Sequence, residues 1–187
     1  MIIGIVGKVG SGKTACTEYL KKKYNAIVFS CDKIAKEIID NRETDYIPLP
    51  SGIFFRNEIA QMECRKIIHP LVFDKIKKHI NNLENDVKTN DEKTETLIVI
   101  ECALPNDTLY EICDKIICIT NSYEDKLKLL NETRGYSNEA VKLIYDSQKY
   151  YDKYYNKSDY FIINNGSVID LENKLKEVID EIYFIRK

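Results

Sequence analysis

One stretch near the start of the sequence has the residue types and spacing of a phosphate-binding loop. Residues 7–14 read GKVGSGKT, which fits the pattern G-x-x-x-x-G-K-[ST] at every fixed position. Glycines in such a loop permit backbone angles that turn successive N–H groups toward an anion, and the lysine reaches the β- and γ-phosphates of a nucleotide. The residues predicted to bind the phosphates of ATP, or of a close relative, are Gly7, Lys8, Val9, Gly10, Ser11, Gly12, Lys13 and Thr14.

The segments on either side of this loop support the same interpretation. A β-branched run, residues 2–6, directly precedes it, and helical spacing with lysines at the end follows in residues 13–23. The loop needs a strand before it and a helix after it, because the helix N-terminus adds positive charge. The pattern appears by chance in fewer than about 1% of chains of this length. Nucleotide binding is therefore predicted, with Lys13 in the chemistry and Thr14 as a ligand of Mg²⁺.

The rest of the chain alternates short apolar runs with longer segments of helical spacing. Apolar runs without polar alternation are typical of strands buried on both faces of a parallel sheet. The further strands are predicted at residues 26–29, 97–101, 115–120 and 160–163. The further helices are predicted at residues 33–39, 57–68, 70–83, 123–132, 138–151 and 168–185, with Pro70 in the first turn of its helix. We expect a three-layer α/β fold: a parallel five-stranded sheet flanked by helices.

Composition excludes several other classes of protein. A formal net charge of −2 gives no broad basic field, so duplex nucleic acid is not an expected partner. No apolar stretch approaches the ~18 residues that span a bilayer, and the N-terminal apolar run is too short for a signal peptide. The six cysteines form no C-x-x-C pair and favour reduced thiols. We expect a cytoplasmic protein without a membrane partner, with a monomer favoured.

Six segments, in the right order, resemble the dephospho-CoA kinase family. They are IIGIVGKVGSGKTACTEYL, IVFSCDKIAKEI, IIHPLV, LIVIECALP, RGYSNEAVKLIYDSQ and SDYFIINNGSVIDLENKL. The resemblance implies a P-loop kinase fold and transfer of the γ-phosphoryl group of ATP to the ribose 3′-hydroxyl of dephospho-CoA, with Mg²⁺. It divides the single domain into a core (about 1–40, 97–132 and 159–187), a helical acceptor-binding insertion (about 41–87) and a lid (about 133–158).

The resemblance also implies roles for single residues on the acceptor side. Asp32 would be the general base toward the acceptor hydroxyl, although an aspartate there also suits a helix N-cap. Glu101, which replaces the usual aspartate, would contact substrate and order Mg²⁺, although a carboxylate at a strand end is often only a loop cap. His69, followed by proline, would line the substrate pocket, although a lone histidine is more often a structural hydrogen-bonding group.

On the donor side, the resemblance implies a catalytic lid arginine and two asparagines near the base of ATP. Arg134 is the only arginine between residues 123 and 160 and would close over the transferring phosphoryl group. Asn164 and Asn165 follow the last strand and would contact adenine, or simply form a turn.

Departures from the family pattern leave alternatives open. Ser30 stands where the family has an aspartate, and Ile144 stands about where it has a lid arginine. A related kinase of another nucleoside, nucleotide or small metabolite, or a nucleotide-binding regulatory protein with weak catalysis, would fit these losses. The polar segment 85–95 is predicted to be a solvated loop.

Two further patterns favour other classes only weakly. Residues 156–159 spell N-K-x-D, the guanine-reading motif of GTPases, but they precede a strand rather than follow one. Tyrosines between residues 145 and 160 could stack on single-stranded nucleic acid, but no dense basic stripe accompanies them.

Overall fold

The protein is described from a computed structural model, which covers residues 1–89 and 96–185. Its centre is a parallel sheet in the order β2-β3-β1-β4-β5. The strands are β1 (Ile2–Val6), β2 (Ile27–Ser30), β3 (Ile98–Cys102), β4 (Lys115–Thr120) and β5 (Tyr160–Ile163). The prediction of a parallel five-stranded α/β sheet is confirmed, with strand ends displaced by one residue in β2 and β3.

The register of the strands brings their carboxyl ends to one edge of the sheet. Val6 of β1 lies beside Cys102 of β3 and Cys118 of β4, and Ser30 of β2 lies beside Glu101. Whatever follows these strands is therefore gathered at the same edge, as in other open α/β sheets that bind ligands there.

Helices connect the strands and cover both faces of the sheet. They are α1 (Lys13–Tyr24), α2 (Cys31–Asp40), α3 (Ser51–Phe54), α4 (Glu58–Thr89), α5 (Asp107–Ile112), α6 (Tyr123–Arg134), α7 (Asn138–Ser147), α8 (Asp152–Tyr155) and α9 (Val168–Ile185), with a 3₁₀ turn at Lys149–Tyr151.

The two faces of the sheet carry separate hydrophobic cores. On one face, alternate residues of the strands, such as Val99 and Ile117, pack with residues of α1 and α9. On the other face, Ile100 and Ile116 pack with residues of α2, α4 and the tyrosine-rich segment. Burial of both faces explains why the strands read as continuous apolar runs.

The helices before β3 differ from the prediction. Residues 57–68 and 70–83 belong to one helix, α4, and Pro70 lies inside it rather than in a first turn. A proline within a helix removes one backbone hydrogen bond, a loss that packing of Ile68, Val72 and Phe73 against the core offsets here.

Other local differences are smaller. The predicted loop 85–95 is helical as far as residue 89, and its remainder lies outside the described residues. Helices α3 and α5 were not predicted, because four and six residues show too little periodicity. The predicted helix 138–151 ends at Ser147 and continues as a 3₁₀ turn. A search of the described residues finds no helix that is long and apolar enough to cross a membrane.

Candidate active site

The phosphate-binding loop adopts a backbone that glycine allows and other residues resist. Gly7, Gly10 and Gly12 have φ angles of 146°, 77° and 102°. A Cβ atom on Gly7 would lie 2.2 Å from the carbonyl oxygen of Ile119, so a side chain is excluded there by space as well as by angle. The glycines of the motif are therefore required by the loop geometry. The Ser11 N–H donates within the loop to the carbonyl oxygen of Lys8 at 3.1 Å, so a bound anion is left to other N–H groups of the loop.

Two asparagines hold the carbonyl groups of this loop. Asn121, after β4, donates from Nδ2 to the carbonyl oxygen of Gly10 at 2.9 Å, and Asn164, after β5, donates to that of Ser11 at 3.0 Å. The C=O and N–H of one peptide group point in opposite directions. A carbonyl that is held on the protein side therefore turns the N–H of its peptide group toward the ligand side, which favours anion binding. Asn164 thus has a structural role; the adenine contact predicted for it stays a prediction.

A third contact joins the loop to the segment after α7. The Val9 N–H donates to Gln148 Oε1 at 2.9 Å, and Lys8 Nζ lies 2.8 Å from Asp152 and 4.2 Å from the centroid of the Tyr145 ring. These partners lie about 140 residues from the loop, and the sequence does not indicate the contact, although Tyr145 and Gln148 belong to the segment RGYSNEAVKLIYDSQ that resembles the family's lid. The ion pair and the ring contact hold the Lys8 ammonium group against the protein.

Lys13 is buried at the carboxyl edge of the sheet, 7% exposed. Its ammonium group donates to the carbonyl oxygen of Lys8 at 3.0 Å. Burial lowers the pKa of Lys13, and the charges of Asp32 and Glu101 oppose that shift. Both carboxylates are therefore near enough to the lysine for their charges to act on it; the shared site predicted for the three residues stays a prediction.

Thr14 and Glu101 form the candidate magnesium site. The Thr14 hydroxyl donates to Glu101 Oε1 at 2.8 Å, which brings the end of β3 to the start of α1. A hydroxyl and a carboxylate suit Mg²⁺, which takes oxygen ligands and keeps several waters beside nucleotide phosphates. The residues present therefore fit this metal, although they form no cage of three ligating side chains in the described chain.

Asp32 stands at the rim of a cavity beside the loop. The cavity has a volume of about 480 Å³, and its wall also includes Val9, Phe73 and Gln148. Asp32 is exposed in the first turn of α2, where Ser30 takes the N-cap position without a side-chain cap bond. The side chain of Asp32 is thus free to face a ligand rather than occupied in capping.

His69 lines the same cavity from the middle of α4. Burial, followed by the charge of nearby Arg65, lowers the pKa of His69 to about 4 from an ordinary value of 6.5. The imidazole is therefore neutral near pH 7, where it can donate or accept one hydrogen bond to a ligand but carries no charge.

The remaining predicted residues lie around the donor side. Arg134 is the exposed last residue of α6, close enough to Lys13 for its charge to lower the pKa of that lysine. Asn165 accepts a hydrogen bond from Lys174 Nζ at 2.8 Å. Asp159, the last residue of the N-K-x-D pattern, accepts from the Ile116 N–H at the opposite edge of the sheet, away from the loop.

The fold and this edge of the sheet define a P-loop kinase. A phosphate loop, a buried lysine and a hydroxyl–carboxylate pair lie beside a cavity large enough for a small acceptor. The solved structure of a shikimate kinase from Acinetobacter baumannii in complex with shikimate has the same fold, with a TM-score of 0.60 at 14% identity, covering 97% of this chain and 92% of that one.

The chain belongs to the dephospho-CoA kinase family. The family model for dephospho-CoA kinase matches residues 49–170. A dephospho-CoA kinase of Fusobacterium nucleatum is 27% identical over 201 residues, covering 97% of this chain and 98% of the relative. The solved dephospho-CoA kinase from Campylobacter jejuni shares the fold, with a TM-score of 0.59 at 22% identity, covering 100% of this chain and 98% of that one. The family resemblance of the sequence is confirmed.

Proposed function

We propose that this chain transfers the γ-phosphoryl group of ATP to the ribose 3′-hydroxyl of dephospho-CoA, giving coenzyme A and ADP. The observation that carries the proposal is that Asp32 lines the cavity beside the phosphate loop and is near enough to Lys13 for its charge to raise the pKa of that lysine. Donor phosphates on the loop and an acceptor hydroxyl at Asp32 would then approach along one line, as phosphoryl transfer requires.

In this proposal each residue acts on one part of the transfer. The Asp32 carboxylate accepts the proton of the 3′-hydroxyl. At the same time the hydroxyl oxygen forms a bond to the γ-phosphorus, and the bond between the γ-phosphorus and the β,γ-bridging oxygen breaks. Lys13 and the loop N–H groups neutralise the charge that develops on the leaving ADP. Arg134, at the start of the proposed lid, would approach the transferring group from the solvent side.

Thr14 and Glu101 would hold Mg²⁺ in this reaction. The ion supplies positive charge that screens the β- and γ-phosphates and fixes their orientation. Glu101 accepts a hydrogen bond from the Thr14 hydroxyl, so the hydroxyl oxygen keeps its lone pairs for the metal.

The acceptor cavity suits the adenosine part of dephospho-CoA. Aromatic side chains, among them Phe54, Phe55 and Phe73, line a space of about 480 Å³. The neutral imidazole of His69 offers a hydrogen bond to a ribose hydroxyl. We propose residues 41–87 as the acceptor-binding insertion and 133–158 as the lid of a single cytoplasmic domain, and we expect a monomer.

The test is formation of coenzyme A by the purified chain. Mg²⁺, ATP and dephospho-CoA are incubated with the wild type, with Asp32→Asn and with Asp74→Asn, an exposed control on α4, and the product is followed by mass. We expect Asp32→Asn to lower kcat by about 10²-fold while the control is unchanged, because a carboxamide cannot accept the proton.

The result distinguishes an error in the proposed acceptor from an error in the proposed role of Asp32. No coenzyme A from a wild type that still binds ATP would reject dephospho-CoA as acceptor, and a screen of nucleosides and small alcohols would follow. Coenzyme A formed equally by wild type and Asp32→Asn would keep the reaction and remove Asp32 from the proton transfer.

A further inference from the structure

Arg65 is a cation that faces the acceptor cavity without a carboxylate partner. It lies on α4 one turn before His69 and lines the cavity with Asp32. Its guanidinium donates to Gln61 Oε1 at 3.3 Å, and no ion pair to it occurs among residues 1–89 and 96–185. Arg56, nine residues earlier, is by contrast paired with Glu139. A guanidinium left unpaired beside a cavity points to an anionic ligand.

Two tyrosine rings fix the orientation of this guanidinium. The Arg65 Cζ atom lies 4.8 Å from the ring centroid of Tyr150 and 5.3 Å from that of Tyr151. The two rings are nearly perpendicular, at 84°. Aromatic rings stabilise a guanidinium without neutralising it, so the positive charge stays available to a ligand.

The Tyr151 hydroxyl supplies a second indication. Tyr151 is 2% exposed and lines the same cavity, and its hydroxyl lies beside the Arg65 guanidinium without completing a hydrogen bond of good geometry to any atom in the described ranges. Burial raises the pKa of Tyr151 to about 12, against the opposing charge of Arg65, so the hydroxyl keeps its proton and can donate. Buried hydroxyl groups rarely go unpartnered, and a ligand oxygen here would satisfy this one.

Arg65 also stands between two recesses of different character. On one side is the mainly apolar cavity that leads to Asp32. On the other is a groove of about 900 Å³ between the first turns of α4 and the end of α7, lined by charged residues of both signs that include Lys66, Lys149 and Asp146. A ligand bound at Arg65 could therefore extend in both directions from a central anionic group.

We propose that Arg65 and Tyr151 bind the diphosphate of the acceptor, with the ribose directed toward Asp32 and the pantetheine arm directed into the groove. Dephospho-CoA has this arrangement, a diphosphate between a nucleoside and a long arm. The identity of the acceptor rests on the proposed function; the anion site does not. Arg65 would then determine acceptor specificity, whereas Arg134 acts on the donor side.

Paired acceptors test the proposal. Initial rates are measured with dephospho-CoA and with adenosine, which has the ribose but no phosphate, for the wild type, Arg65→Gln, Tyr151→Phe and the control Arg42→Gln, an exposed arginine just after α2 that lines neither recess. We expect Arg65→Gln to raise KM for dephospho-CoA about 30-fold, because charge-assisted hydrogen bonds to phosphate are lost. Tyr151→Phe should raise it about 5-fold. Neither variant should change kcat/KM for adenosine more than about 3-fold.

The pattern across acceptors decides the outcome. Equal losses on both acceptors would overturn the proposal, because they would mean a general distortion of the cavity. Unchanged KM values for dephospho-CoA in Arg65→Gln would overturn it as well.

A binding measurement keeps the anion site separate from the reaction. Inorganic diphosphate is titrated calorimetrically into protein whose phosphate loop is saturated with a non-hydrolysable ATP analogue and Mg²⁺. We expect the wild type to bind it at least about 10-fold more tightly than Arg65→Gln. This result supports the site even if no coenzyme A is formed, and equal binding by both proteins rejects it even if coenzyme A is formed.

Discussion

The donor half and the acceptor half of the site are built by different means. On the donor side, the main chain of residues 7–14 forms the binding surface, and side chains such as Asn121 and Asn164 only hold it in place. On the acceptor side, the surface consists of side chains from α2, α4 and the segment after α7. Main-chain recognition needs a fixed set of glycines, whereas side-chain recognition changes with each residue, so a single substitution alters recognition more directly in the acceptor half than in the donor half.

The largest expected effect comes from removing the buried donor-side lysine that enters the chemistry. Lys13→Met should lower kcat by about 10³-fold, because a preorganised positive charge at the transferred phosphoryl group is lost. Steady-state formation of ADP measures it, with Lys23→Met, an exposed lysine on α1, as control. A rate within 10-fold of the wild type would show that main-chain groups alone support the donor half.

On the acceptor side, His69 should make folding stability depend on pH. Its pKa is about 4 in the folded protein against 6.5 unfolded, so below pH 6.5 the unfolded chain binds the extra proton and stability falls until about pH 4. Between pH 7 and 5 the wild type should lose about 2 kcal/mol more unfolding free energy than His69→Gln. Urea denaturation at both pH values measures this.

A matched histidine controls that experiment. His79→Gln, on the same helix, should keep the full pH dependence of the wild type. If His69→Gln behaves as His79→Gln does, water reaches the imidazole and the acceptor cavity is more open than its apolar wall suggests.

Glu101 lies between the donor half and the acceptor half, and its role is tested by the Mg²⁺ requirement of the reaction. Glu101→Gln should raise the Mg²⁺ concentration for half-maximal rate about 10-fold, because the carboxylate that contacts Thr14 loses its charge. Initial rates over a Mg²⁺ series measure it, and Glu18→Gln, exposed on α1, is the control. An unchanged requirement would limit Glu101 to holding the Thr14 hydroxyl.

The smallest expected effect concerns the support of the donor loop. Asn164→Ala should weaken ATP binding about 5-fold, close to the contribution of one hydrogen bond. Calorimetric titration with ATP and with GTP distinguishes two roles, with Asn82→Ala, exposed on α4, as control. Equal losses for both nucleotides would mean support of the loop, and a loss for ATP alone would mean contact with adenine.

The sequence predicted the donor half of the site better than the acceptor half. The five parallel strands and the phosphate loop depend on local patterns, which a single chain displays. The hydrogen bond from Val9 to Gln148 could not be predicted, since the motifs that contain the two residues do not show that they meet. Asn121 could have been found, because it directly follows a strand that ends beside the loop.

The helices of the acceptor side were predicted less well for a physical reason. Pro70 indicates a helix start by local rules, yet tertiary packing carries α4 through it. Arg65 gave no signal either, because an arginine on a helix is usually solvated and only the placement of Tyr150 and Tyr151 makes it distinctive. Side-chain recognition thus depends on contacts between distant segments, which one sequence does not display.

The bond from Asn164 to Ser11 has a consequence for the order in which the protein is assembled. The loop leaves the ribosome before this anchor, which is synthesised about 150 residues later, at the end of the edge strand β5. Since domains fold as units and long-range contacts form late, the nucleotide site can be completed only when the last strand has docked. A nascent chain released before that point would carry the whole phosphate-binding motif and still lack a finished site.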